Sequence, residues 1–153
     1  VGMQVTLVLV IVAAAHGFDV KKLTTENKHH LGIYDGSSTT IQKHPYMADL
    51  YVEDAPFCTA TIVSDSWVIT AAYCALYADT TSTILTASTD GSSGKFYPVQ
   101  KIVIHPKYNP DTNQLDYQYG LIQIKGKFKW SSKTKPIKLA KRNPKANTKV
   151  VVS

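Results

Sequence analysis

Past residue 46 the chain falls into short runs rich in apolar and β-branched residues, divided by Gly, Pro, Asn, Asp or Ser. A period of two sends successive side chains to opposite faces of an extended strand, so each run can bury one face and wet the other. The pattern predicts strands over Met47–Val52, Phe57–Val63, Trp67–Thr70, Thr83–Ser88, Phe96–His105 and Leu121–Lys125, with Pro98 inside the fifth. Ala71–Tyr77 reads as a single helical turn. Asp90-Gly91-Ser92-Ser93-Gly94 has the composition of a turn between two strands. Short strands divided in this way indicate an all-β barrel.

The amino-terminal pattern differs. Val5–Ala15 is an apolar run of eleven residues, too short to span a bilayer as a helix. Ala15-His16-Gly17 then supplies the small residues that a signal peptidase prefers. Residues 1–17 are therefore expected to be a signal peptide with upstream residues, starting at Met3, and the protein to be secreted, with no membrane association once the signal is removed. A polar stretch, 18–32, follows.

Composition changes this picture mainly through charge. The formal balance is +6, yet all eleven acids lie at or before Asp116. Lys125, Lys127, Lys129, Lys133, Lys135, Lys138, Lys141, Arg142, Lys145 and Lys149 follow with no acid among them. Such a segment can attract acidic partners, or it can be a solvated surface. It is the candidate binding patch, with no nucleic-acid partner expected. No His or Cys spacing suits a metal, and no cofactor is implied.

Candidate chemistry centres on Ser66-Trp67-Val68-Ile69-Thr70-Ala71-Ala72-Tyr73-Cys74. This block resembles the surroundings of the catalytic histidine in trypsin- and chymotrypsin-like serine proteases, where the run ends T-A-A-H-C. Tyr73 stands at the imidazole position. A phenol with a pKa near 10 is only about one part in a thousand ionised at neutral pH, a poor general base for a serine. In the same family an aspartate precedes the strand D-x-A-L-L-K-L. Here the matching position in Gln118-Tyr119-Gly120-Leu121 is Gln118, an amide that can orient an imidazole but supplies no charge. Asp116, two residues earlier, would share a strand face with Gln118 at roughly 6–7 Å, too far to replace it. The family's serine lies in a G-D-S-G-G motif beyond Ser153, and Asp90–Gly94 precedes Gln118 with the wrong spacing for that role.

Further matches extend the resemblance over Ile33–Ser153. His44-Pro45-Tyr46 and His105-Pro106-Lys107-Tyr108 are similar to the family's H-P-Y and H-P-x-Y turns, which makes His44 and His105 structural. Phe57-Cys58-Thr59-Ala60-Thr61-Ile62-Val63 matches F-C-G-G-T-I-V with both glycines replaced, so Thr59 and Ala60 are expected to crowd the cleft. Ile33-Tyr34-Asp35-Gly36 takes the place of I-V-G-G, but Gly32 before it offers no trypsin-like activation cut. By this resemblance 18–32, with His29 and His30, is propeptide-like, 33–137 is an N-terminal six-stranded Greek-key barrel, and 138–153 is a linker leading into a truncated second barrel. Lys149–Ser153 would then be an exposed strand edge. The resemblance also implies a disulfide between Cys58 and Cys74, worth about 3 kcal/mol for such a loop.

The runs Y-N-P-D-T-N-Q-L-D-Y-Q-Y-G-L-I-Q-I and C-T-A-T-I-V are similar to mite group 3 allergen-type proteins. With both triad positions altered, the chain most resembles the inactivated protease paralogues of the scabies mite. That resemblance implies a secreted, non-proteolytic binding protein whose partners are host proteins of the complement system. Two alternatives stay open: a residual or unusual serine endopeptidase, and a competitor for the substrates or inhibitors of active mite proteases.

Overall fold

The computed structural model describes residues 37–112 and 116–151. The segments expected to be signal peptide and propeptide, and the Ile33–Gly36 run, lie outside the described residues. The strands are β1 (Met47–Val52), β2 (Ala55–Ile62), β3 (Trp67–Thr70), β4 (Thr83–Thr86), β5 (Lys95–Ile104) and β6 (Gly120–Ile124), with one short helix, α1 (Ala72–Tyr77). They form a closed antiparallel barrel in the order β1-β2-β3-β6-β5-β4. After β3 the chain crosses through α1 to β4 on the far side of β1, and β6 later returns to fill the gap between β3 and β5. This Greek-key order leaves no unpaired edge in the barrel.

Inward positions alternate with outward ones along β1, β3 and β6. Leu50, Ile62, Val68, Ile84, Ile122 and Ile124 are fully buried, and Tyr97 and Phe128 close one end with rings 5.0 Å apart. The Tyr97 hydroxyl accepts a hydrogen bond from the Lys129 N–H at 2.9 Å, so the buried phenol is satisfied.

Element ends differ from the pattern where the backbone turns left-handed. β2 begins at Ala55 because Glu53 and Asp54 both have positive φ, 51° and 59°, and close the β1–β2 hairpin in two residues. β4 stops at Thr86 rather than Ser88 because Ala87 has φ 64°. Pro98 is accommodated within β5 next to a register shift between Val99 and Lys101. The turn expected at Asp90–Gly94 is present: the Ser88 hydroxyl accepts the N–H of Gly91 at 2.9 Å, and Asp90 accepts that of Ser92 at 3.0 Å. Lys149–Val151, expected as an edge strand, is exposed and carries no strand pairing.

Candidate functional site

α1 has little to hold it locally. It is six residues long, Ala71 at its start makes no side-chain cap, and no acid lies in its first turn. Isolated helices of this length do not persist in water. Two tertiary contacts fix it instead. The Cys58–Cys74 disulfide ties it to β2. Gly120, at the start of β6, gives it room: a Cβ there would come within 2.6 Å of the Ala75 Cβ. Ala72, Cys74 and Ala75 are buried, which turns Tyr73, Leu76 and Tyr77 to solvent.

Tyr73 is 49% exposed, and its neighbours are other rings. It stacks on Phe57 with centroids 6.1 Å apart and meets Tyr77, one helical turn on, at 5.0 Å. Phe57 and Tyr77 are 5.8 Å apart, so the three rings form a contiguous cluster. Sequence reasoning treated each of these residues singly and missed the cluster. The signal was available: aromatics directly precede both half-cystines, and a third lies four residues after Tyr73.

Gln118 lies at the same end of the barrel. Thr70 and Gly120 are paired across β3 and β6, with Tyr73 three residues beyond the first and Gln118 two before the second. The backbone here is not a strand, contrary to the geometry assumed for Asp116. Tyr117 has φ 61°, and the Tyr119 N–H donates to the Tyr117 carbonyl at 2.8 Å across Gln118. A tight turn of this kind breaks the two-residue alternation that would put Asp116 and Gln118 on one face. The turn is held by His105, whose ring stacks on Tyr117 at 4.7 Å and meets Tyr119 edge-on at 4.8 Å. His105 Nδ1 accepts the Lys107 N–H at 3.2 Å and its carbonyl accepts the Tyr108 N–H at 2.9 Å, the turn role expected of it. His44 hydrogen-bonds the Tyr46 hydroxyl through Nδ1 at 3.1 Å.

The expectation that Thr59 and Ala60 both crowd the cleft is corrected by the barrel register. Ala60 points inward and is 3% exposed, packed in the core. Thr59 is exposed, and its carbonyl accepts the Thr70 hydroxyl at 2.7 Å.

The basic segment is spread over two surroundings. Lys127 pairs with Asp65 at 2.8 Å, which raises the lysine pKa and lowers that of the carboxylate. Phe128 beside it is buried, while Trp130 is about half exposed. From Lys133 onward Lys133, Lys135, Lys138, Lys141, Arg142, Lys145 and Lys149 are exposed, with backbone anchors at Lys135 N–H to the Pro45 carbonyl and Ile137 N–H to the Ile62 carbonyl. Lys125 and Lys129 are also exposed. Among the described residues no group of three or more His, Cys, Asp or Glu could hold a metal ion, and no helix is long and apolar enough to cross a membrane.

The barrel, the helix stapled to it and the turn before β6 are accompanied by a sequence match to the trypsin family model over residues 33–153. The chain belongs to the trypsin family. It is 34% identical over 125 residues to a trypsin of Sarcophaga bullata, covering 79% of this chain and 48% of that protein. It is 29% identical over 126 residues to Trypsin Blo t 3 of Blomia tropicalis, covering 79% and 46% respectively. Among solved structures, the scabies mite inactivated protease paralogue S-D1 matches with a TM-score of 0.66 at 28% identity, over 74% of this chain and 49% of that one. Mouse brain neuropsin matches in fold, with a TM-score of 0.64 at 24% identity, over 72% of this chain and 50% of that one. This trypsin-family chain thus spans about half the length of the relatives it matches.

Proposed function

We propose that this trypsin-family chain belongs to a secreted protein that has lost proteolysis and acts by binding, with components of host complement as its partners. The observation that carries the proposal is Tyr73. In the S-W-V-I-T-A-A-Y-C block it occupies the position of the general base, and its ring is packed against Phe57 and Tyr77. A phenol in that position cannot take a serine proton near neutral pH with useful efficiency. Gln118 adds to the argument, since an amide provides no charge to stabilise an imidazolium. The likeness to a mite inactivated protease paralogue supports the same reading. What remains is a rigid, disulfide-stapled barrel carrying loops, a framework suited to recognition without turnover. The basic segment from Lys125 to Lys149 offers a surface for electrostatic steering.

The test is a dose series of the full-length protein in a complement-mediated lysis assay. Lysis should fall with dose, and reversing the charge of Lys133, Lys135, Lys138 and Lys141 should weaken the effect and flatten its salt dependence. Unchanged lysis across the series would count against complement as the partner.

A further inference from the structure

The β5–β6 ribbon carries positive charge that nothing nearby offsets. Residues 91–110 hold Lys95, Lys101 and Lys107 with no acid, and no acid follows Asp116. Tyr97 gathers two lysines at the end of the barrel that it closes with Phe128. The Lys95 ammonium lies over its ring, 4.9 Å from the centroid, and the Lys129 N–H donates to its hydroxyl at 2.9 Å. One residue along β5, the Pro98 carbonyl accepts the Lys125 N–H at 2.8 Å. Lys101 follows on the same strand, opposite Gln123 of β6. Lys95, Lys101, Lys125 and Lys129 are exposed and make no ion pair among the described residues, whereas Lys127 is neutralised by Asp65. Lys95 and Lys101 are roughly 20 Å apart along an extended strand, so these lysines form a stripe rather than a point.

The stripe lies away from both the barrel end described above and the path by which the chain leaves. Gln118 precedes Gly120, which pairs with Ile104 at the other end of β5. In the order β1-β2-β3-β6-β5-β4, β5 stands opposite β2. The departing segment instead runs beside β1 and β2, where the Lys135 N–H donates to the Pro45 carbonyl and the Ile137 N–H to the Ile62 carbonyl.

The chemistry around the lysines selects among polyanions. An ammonium is a compact charge with three donors and no planar fork, suited to many spaced anions more than to one bidentate partner. Gln100 and Gln123 accompany Lys101 on the two strands, and an amide both donates and accepts, as pairing with sugar hydroxyls requires. Nucleic acid would need open rings for its bases. Tyr97 is buried beneath Lys95, and Phe96 meets Tyr51 edge-on at 5.2 Å. An acidic peptide would draw its affinity from buried apolar anchors, whereas Gln100, Lys101 and Gln123 are polar.

We infer that the stripe of Lys95, Lys101, Lys125 and Lys129 binds a linear sulfated polysaccharide. The inference goes beyond the binding reading above and does not depend on it, since the surface would serve an active protease equally.

The experiment is fluorescence anisotropy of the full-length protein with a short labelled heparin oligosaccharide, beside its desulfated form, an oligoglutamate peptide and an oligouridylate. The sulfated sugar should bind, with log affinity falling linearly against log salt. Lys101→Glu with Lys125→Glu should weaken binding at least about tenfold at fixed salt and make that slope shallower. Lys95→Gln with Lys129→Gln should act in the same direction without placing new charge on the barrel, so a folding defect in one pair does not decide the outcome. Lys138→Glu with Lys141→Glu, on the departing segment, should change affinity by no more than about twofold, as screening across the barrel dictates. An equal loss in that control would overturn the assignment by making net charge the cause. Absence of saturable binding, or equal affinity for the desulfated sugar, would overturn it too. Tighter binding of the glutamate peptide or the oligouridylate would replace the polysaccharide with an acidic protein or a nucleic acid.

Discussion

At the residue scale, the least comfortable group in the barrel is Asp49. It sits on β1 between Thr59 of β2 and Leu85 of β4, and burial raises its pKa above the ordinary carboxylate value. The folded state therefore holds this proton more tightly than the unfolded state, and the ionised form at neutral pH opposes folding. Asp49→Asn should make the barrel more stable at neutral pH. That advantage should shrink as pH falls through the raised folded-state value and vanish below the ordinary carboxylate value. Asp65, Asp79 and Asp90 are shifted the other way, by Lys127 for Asp65 and by Thr81 and Ser92 for the other two. Their contribution is lost as pH falls, equally in both proteins, so the difference between the two denaturation curves isolates Asp49. A stability difference that does not change with pH would contradict this account.

At the element scale, α1 shows what a sequence pattern conveys and what it does not. The helical turn read at Ala71–Tyr77 matches the helix to within one residue, and Ala72 and Ala75, three apart, are both buried in it. The strand positions were legible from short runs divided by turn residues and from the family motifs, with β1 and β3 matching to the residue. The missed boundaries include those at Glu53, Asp54 and Ala87, whose left-handed backbone residue type does not announce, and one-residue shifts at both ends of β5 and β6. The inward register of Ala60 was likewise hidden, since a motif match says which residue differs but not which face it occupies. The ring cluster was hidden because Phe57 and Tyr73 meet only through tertiary contact. Gly120 is where this packing is most sensitive. Gly120→Ala places a methyl group against Ala75 and should cost about 1–3 kcal/mol, as overpacking in a core does. Urea denaturation would register this as a lower midpoint with an unchanged slope. A midpoint equal to that of the parent would mean that α1 is not seated on β6 as described.

At the scale of the whole molecule, the chain keeps a closed trypsin-family barrel, and the proposed loss of proteolysis concerns the end of it where Tyr73 and Gln118 lie. The all-β class was legible because short strands divided by turn residues suit a sandwich or a barrel, and the family resemblance selected the barrel. The family was legible because the block ending at Cys74 is specific to this superfamily. In the proposed reading, the consequence for activity hinges on two side chains, Tyr73 and Gln118, and on the ring cluster that Tyr73 joins. Loss of a single triad member in this kind of enzyme leaves only about 10³–10⁴-fold acceleration over water. The decisive measurement is turnover of a peptide substrate panel by the full-length protein, with and without a serine-directed inhibitor. The account predicts hydrolysis no faster than that residual level and unaffected by the inhibitor. Rapid turnover that the inhibitor abolishes would contradict it and return the protein to the active proteases.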